Sequence, residues 1–144
     1  MSESYTGGCA CGAIRYEISD EPLVQNDCQC RDCQRISGTG HGSYLGFPDK
    51  KAMKLMGEAK LWDKESDIES GGIPGNVKTR AFCPTCGSPV YMTFAAMPDV
   101  FTVHAASLDD PGRYKPQAVT YVVRGHAWDP LDPAVPKFDK LPPM

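Results

Sequence analysis

Hydrophobic positions along this chain recur mostly with a period of two and in short runs. Ile14, Tyr16 and Ile18 alternate with Arg15 and Glu17, which predicts a half-buried strand over Ala13–Ile18. Asp20-Glu21-Pro22 ends that strand, and Leu23–Asp27 leads on from it. Ser43–Phe47 reads as a strand. Lys54–Trp62 reads as another, interrupted at Gly57, although Ala52–Met56 alone also fits a helix. Val90–Phe94 and Val100–His104 form the arms of a hairpin around Ala96-Met97-Pro98-Asp99, and Ala118–Val123 is a further strand. One or two helical turns are expected over Arg31–Ile36. Gly38-Thr39-Gly40-His41-Gly42 reads as a flexible loop, and Asp63–Lys78, with three Gly and alternating charges, as a mobile one. From Asp129 to Pro143 there are five Pro in 15 residues, the composition of an extended strap.

Composition narrows this picture. A chain of 144 residues is expected to form one domain over 1–144, ending in the Pro-rich strap 129–144. A domain of this size buries about 68–70% of its unfolded surface, so its core needs no crosslinks. The 14 Gly and 13 Pro favour turns and short strands over long helices. Fifteen Lys and Arg against 18 Asp and Glu leave a net charge of −3, which argues against a nucleic-acid binder with a basic face. No apolar run approaches ~20 residues, so no membrane span is expected. Met-Ser-Glu-Ser-Tyr at the start carries no apolar stretch, so no secretory signal is expected and the cytoplasm is the expected location.

The cysteines carry the chemistry. Seven fall in three groups: Cys9-x-Cys11, Cys28-x-Cys30-x-x-Cys33 and Cys83-x-x-Cys86. An odd number in a chain without an export signal is a poor disulfide framework. Zinc explains them better. Structural sites take four ligands, commonly from two distant short pairs, and catalytic sites keep three protein ligands with one position open. Seven divides as four plus three. Cys9, Cys11, Cys83 and Cys86 make the closed set, because Gly12 and Gly87 follow each pair and allow the tight turns that bring backbone amides to sulfur. Buried, unligated thiols are the plain alternative. Cys28, Cys30 and Cys33 come from six residues and leave a fourth position open. It can be filled by water, by a substrate thiol, or by His41, His104 or His126. A metal-free redox pair or an iron–sulfur site are further readings.

Three runs resemble the glutathione-dependent formaldehyde-activating enzyme family, whose members share a domain with centromere protein V. They are Gly8-Cys9-Ala10-Cys11-Gly12-Ala13-Ile14-Arg15-Tyr16, then Cys28-x-Cys30-x-x-Cys33-Gln34-Arg35-Ile36-Ser37-Gly38, then Phe82-Cys83-Pro84-Thr85-Cys86-Gly87-Ser88-Pro89. Ser107-Leu108-Asp109-Asp110-Pro111, Trp128 and the Leu131–Phe138 tail add to the likeness. The resemblance implies an all-β fold with short helical turns, zinc-stabilised and Mss4-like. It implies two zincs per chain: a structural one on Cys9, Cys11, Cys83 and Cys86, and a catalytic-type one on Cys28, Cys30 and Cys33. The family often carries His where Gln29 stands, and an apolar or aromatic residue where His41 stands.

The implied activity is that of a carbon–sulfur lyase, adding glutathione or a similar small thiol to a small aldehyde such as formaldehyde, or the reverse. Three thiolates leave zinc a weak Lewis acid, poor at making hydroxide but suited to holding a soft thiol. Arg31 and Arg35 are candidates for glutathione's carboxylates, against a solvated helix face. His41, His104 and His126 are candidate acids, against surface or structural roles. Tyr44 and Trp128 read as core or pocket wall, and Asp32 as a helix-start charge. A zinc-stabilised binding module without turnover and a thiol redox or metal sensor are the readings from other classes.

Overall fold

The computed structural model describes residues 3–65 and 75–141. Ten strands form two sheets. In the smaller, β1 (Tyr5–Gly8), β2 (Arg15–Ile18) and β5 (Met53–Met56) pair antiparallel in the order β1-β2-β5. The larger contains β3 (Val24–Cys28), β4 (Gly42–Phe47), β6 (Lys60–Glu65), β7 (Val77–Phe82), β8 (Pro89–Phe94), β9 (Met97–His104) and β10 (Ala118–Thr120). Its order is β10-β3-β4-β9-β8-β7-β6, antiparallel throughout except that β10 runs parallel to β3. The single α-helix among the described residues, α1 (Arg31–Ser37), follows β3. The fold is mainly β, as expected.

Alternation decides what each face of the large sheet carries. Leu45 pairs with Val103, and Phe47 with Phe101. These four are fully buried together with Ile14, Tyr16 and Ile18 of the β2 region, so the small sheet covers this face. The Phe47 and Phe101 rings stack at 5.2 Å, and Tyr5 meets Phe47 edge-on at 5.6 Å. Each such side chain contributes roughly 1.5–3 kcal/mol on burial. A second apolar cluster joins Cys28, Cys30, Cys33, Tyr44, Met92 and Tyr121, with Phe94 against it. α1 closes over this other side, and Asp32 on the helix reaches Lys64 on β6 at 3.0 Å.

Several expectations need correction. The loop expected over Asp63–Lys78 gives up both ends to the β6–β7 pair, in which Lys64 opposes Lys78; its middle, residues 66–74, lies outside the described residues. The interrupted strand over Lys54–Trp62 is two strands in different sheets, separated at Gly57 with φ 94°. The hairpin turn falls at Ala95-Ala96 and β9 begins at Met97, because Asn76 accepts a 2.8 Å bond from the Ala96 N–H and fixes the corner. Beyond β10, the chain turns through a 3-10 segment at Val122–Arg124. The Pro-rich tail then lies beside β10: Val119 N–H donates to Pro136 and Phe138 N–H donates to Val119.

Candidate functional site

The first cysteine group forms where two turns meet. Cys9 and Cys11 lie in the β1–β2 connection and Cys83 and Cys86 in the β7–β8 connection, so each sheet supplies two sulfurs. Gly12 and Gly87 take φ of 82° and 76°, the left-handed region open to glycine. Their N–H groups close the turns onto the carbonyls of Cys9 and Cys83. All four Sγ atoms lie within 4.8 Å of one another. Cys9 to Cys11 is 3.6 Å and Cys11 to Cys83 is 3.7 Å. A tetrahedral site with bonds near 2.3 Å needs sulfur spacings of about 3.8 Å, so these residues fit a zinc ion. Backbone N–H groups approach sulfur here too: that of Ile14 donates to Cys9 at 3.2 Å and lowers its pKa. Cys86 is drawn down to about 5, first by the Ser88 hydroxyl.

The second group comes from one segment. Cys28 ends β3, Cys30 caps the N-terminus of α1, and Cys33 sits in its first turn. The capping sulfur accepts from the Cys33 N–H at 3.3 Å, which folds the two residues together. Cys30 and Cys33 are 3.1 Å apart, and all three sulfurs lie within 4.8 Å of one another. Hydrogen bonds from Cys28 and then Cys33 hold Cys30 far below the usual thiol range. Cys33 is pushed well above it, first by Cys28, then by Cys30 and burial. Three convergent sulfurs fit a metal ion with a fourth ligand from elsewhere, and among the described residues no His, Asp or Glu joins the group.

The histidines are engaged elsewhere. Nδ1 of His41 pairs with Asp129 at 2.8 Å, tying the glycine-rich loop to the C-terminal segment. His126 stacks on Trp128 at 4.9 Å and contacts Gln34 at 2.9 Å. His104 is buried against Tyr44, ring to ring at 5.0 Å; burial and then the Arg80 charge lower its pKa to about 4. Neither arginine candidate packs against the sulfurs: half-buried Arg31 donates to Gln34, and Arg35 is exposed in the last turn of α1. Trp128, expected in core or wall, is 65% exposed. Asp32 is more than a helix-start charge, being buried and paired with Lys64. Gln34 is a hub, donating to the carbonyls of Gln29 and Arg124 at 2.8 and 3.0 Å. A cleft of about 610 Å³ is lined by Cys9, Arg15, Ser37, His41, His104 and Ser107, and runs from the Cys9 turn to the end of α1 and the loop after it. None of the triplet lines it. The Tyr44–His104 ring pair stands between.

One residue of this region carries no warning in the sequence. Arg80, on β7, is 5% exposed. A lone Arg three residues before a Cys turn reads as a surface cation, and only strand parity places it on the side of Met92 and Tyr44.

The family model for "Glutathione-dependent formaldehyde-activating enzyme" matches residues 4–124. A Halomonas elongata protein named "Putative glutathione-dependent formaldehyde-activating enzyme" is 25% identical over 114 residues, covering 78% of this chain and 71% of that one. A crystal structure of a Rhodobacter sphaeroides protein shares the fold, with a TM-score of 0.53 at 18% identity over 72% of this chain and 87% of that one. The match takes in all seven cysteines and the three segments that present them, so this chain belongs to the glutathione-dependent formaldehyde-activating enzyme family.

Proposed function

We propose that this protein is a cytoplasmic, single-domain, zinc-dependent carbon–sulfur lyase that adds a small thiol, glutathione or similar, to a small aldehyde such as formaldehyde, or runs the reverse. The observation that carries this reading is the incomplete ligand set of Cys28, Cys30 and Cys33 in a chain of this family. Cys9, Cys11, Cys83 and Cys86 hold the structural zinc in this proposal. A zinc held by the triplet supplies a site that favours the thiolate form of a soft sulfur ligand.

The chain's own residues do the rest. The α1 cap fixes the Cys30–Cys33 spacing, Gln34 locks the segment against Gln29 and Arg124, and Tyr44 with Tyr121 keeps water from the sulfurs. The reaction joins the thiol sulfur to the aldehyde carbon, and the thiol proton ends on the new hydroxyl. No external oxidant or reductant is needed.

The test is zinc content per chain on anaerobically purified protein, together with the NMR exchange rate between glutathione plus formaldehyde and their adduct. Two zincs and an exchange rate above the spontaneous one are expected, falling to one zinc and the spontaneous rate in Cys30→Ser. The zinc-stabilised binding module is favoured by one observation, the depth of the triplet: Cys30 is 0% and Cys33 3% exposed. Two zincs with only the spontaneous rate would select that reading.

A further inference from the structure

Four buried side-chain atoms have no hydrogen-bond partner among the described residues: Nε and Nη2 of Arg80, Oγ1 of Thr102 and the Tyr44 hydroxyl. They are not scattered. Arg80 opposes Met92, Met92 opposes Thr102, and Thr102 opposes Gly46, so Arg80 and Thr102 lie in one cross-strand row on one face. Tyr44 is two residues along β4 from Gly46, on that same face. Met92 and Tyr44 both pack in the cluster of Cys28, Cys30 and Cys33. The unpartnered groups therefore begin one side chain away from the three sulfurs.

Arg80 is the telling member. Its Nη1 meets only the Met92 sulfur, at 3.6 Å, and no described carboxylate pairs with it. A guanidinium buried without a counter-charge is strongly unfavourable. The two unused nitrogens, Nε and Nη2, form one edge of the guanidinium plane, the edge that takes both oxygens of a carboxylate in parallel hydrogen bonds. Thr102 lies on the same sheet face, and the Tyr44 hydroxyl reaches towards Cys33, between Arg80's row and the sulfurs.

We propose that Arg80, with Thr102 and Tyr44, receives a carboxylate borne by the thiol substrate, so that the protein selects thiols with a carboxylate a few bonds from sulfur. This rests on the thiol-addition reading above. A sulfur at the triplet and a carboxylate at Arg80 would belong to one small molecule, with Tyr44 between them.

The test uses N-acetylcysteine and N-acetylcysteamine, which differ by the carboxylate alone, titrated calorimetrically into zinc-replete protein. Wild type is expected to bind N-acetylcysteine about 10-fold or more tightly than its partner, the scale of a charge-assisted hydrogen bond. Arg80→Met should erase the difference by weakening N-acetylcysteine alone, and Arg80→Lys, which lacks the paired edge, should fall between. Acetate should compete with N-acetylcysteine only. The proposal is overturned if wild type binds both thiols equally. It is also overturned if Arg80→Met weakens both equally, which would make Arg80 a counter-charge for the cysteines, or if acetate binds without any thiol preference. Should Arg80→Met not fold, the wild-type comparison decides. Calorimetry needs no turnover, so a retained preference without aldehyde addition would sink the lyase reading and leave this one standing.

Discussion

The two cysteine groups use one element in different ways. The four-cysteine group draws on turns 72 residues apart, Cys11 to Cys83, and bridges the two sheets. Two of its sulfurs face solvent. The triplet draws on six consecutive residues, bridges nothing distant through its own sulfurs, and is buried throughout. A complete ligand set that joins distant parts of a chain is arranged as a fastening, since metal binding there is folding energy. An incomplete set within one segment constrains little of the chain. It is buried beside Arg80, Thr102 and Tyr44, whose side chains have polar atoms with no partner among the described residues. The contrast separates what holds this fold from what the fold holds.

The largest expected effect breaks the fastening. Cys83→Ser should remove the bridge between the sheets, and a structural zinc is worth about 10–16 kcal/mol in small domains, as much as the 5–15 kcal/mol of a typical fold. Circular dichroism should show the chain largely unfolded at 25 °C; a cooperative melt near that of wild type would refute the division drawn here.

His104 lies between the two groups and gives the next largest effect. Its pKa is lowered from 6.5 to about 4, by burial first. Between those values the unfolded chain binds the proton and the folded one does not, so stability falls as pH drops from 6.5 towards 4. The loss is about 3 kcal/mol. Urea titrations at pH 7 and pH 4.5 should show His104→Gln losing less than wild type over that interval, and equal losses would exclude His104 as the cause.

Asp32 and Lys64 pin the triplet's helix to β6 without involving the four-cysteine group. Asp32→Asn removes the buried carboxylate charge that pairs with Lys64 and should cost about 1–3 kcal/mol, read as a shift of the urea midpoint. Zinc content should stay unchanged, because no described sulfur depends on that pair.

Cys30→Ser should have the smallest effect on stability and the sharpest on chemistry. Serine is a preferred N-cap, so α1 keeps its start and the melting temperature should move by only a few degrees. A collapse of stability comparable with that of Cys83→Ser would show that the triplet, too, is a fastening.

How much of this was legible depends on burial. β2 and β8 bury alternate residues, and that period stands out in the sequence, while β4 is buried on both faces and shows as a short apolar run. Gly12 and Gly87 marked the cysteine turns because those turns need a positive φ. Lys60-Leu61-Trp62 reads as the end of a strand begun at Lys54, but nearly all of β6 is exposed, so Asp63-Lys64-Glu65 shows no sidedness and reads as part of a charged loop. β1 was hidden by its two glycines. The seven sulfurs could be sorted from spacing and flanking glycines alone. Arg80 could not be found, since the absence of a counter-charge is a property of three-dimensional neighbours.

The one parallel pairing of the large sheet has a consequence in time. Cys28 aligns with Thr120 on β10, the Gln29 N–H donates to the Thr120 carbonyl at 2.9 Å, and Tyr121 packs on the three sulfurs. These partners are synthesised some 90 residues after the triplet, roughly 5–20 s later at ordinary rates of translation. Until then the nascent chain carries its three thiols uncovered. The interval in which they can be loaded with metal, or damaged by oxidants, thus opens on the ribosome and closes when β10 docks.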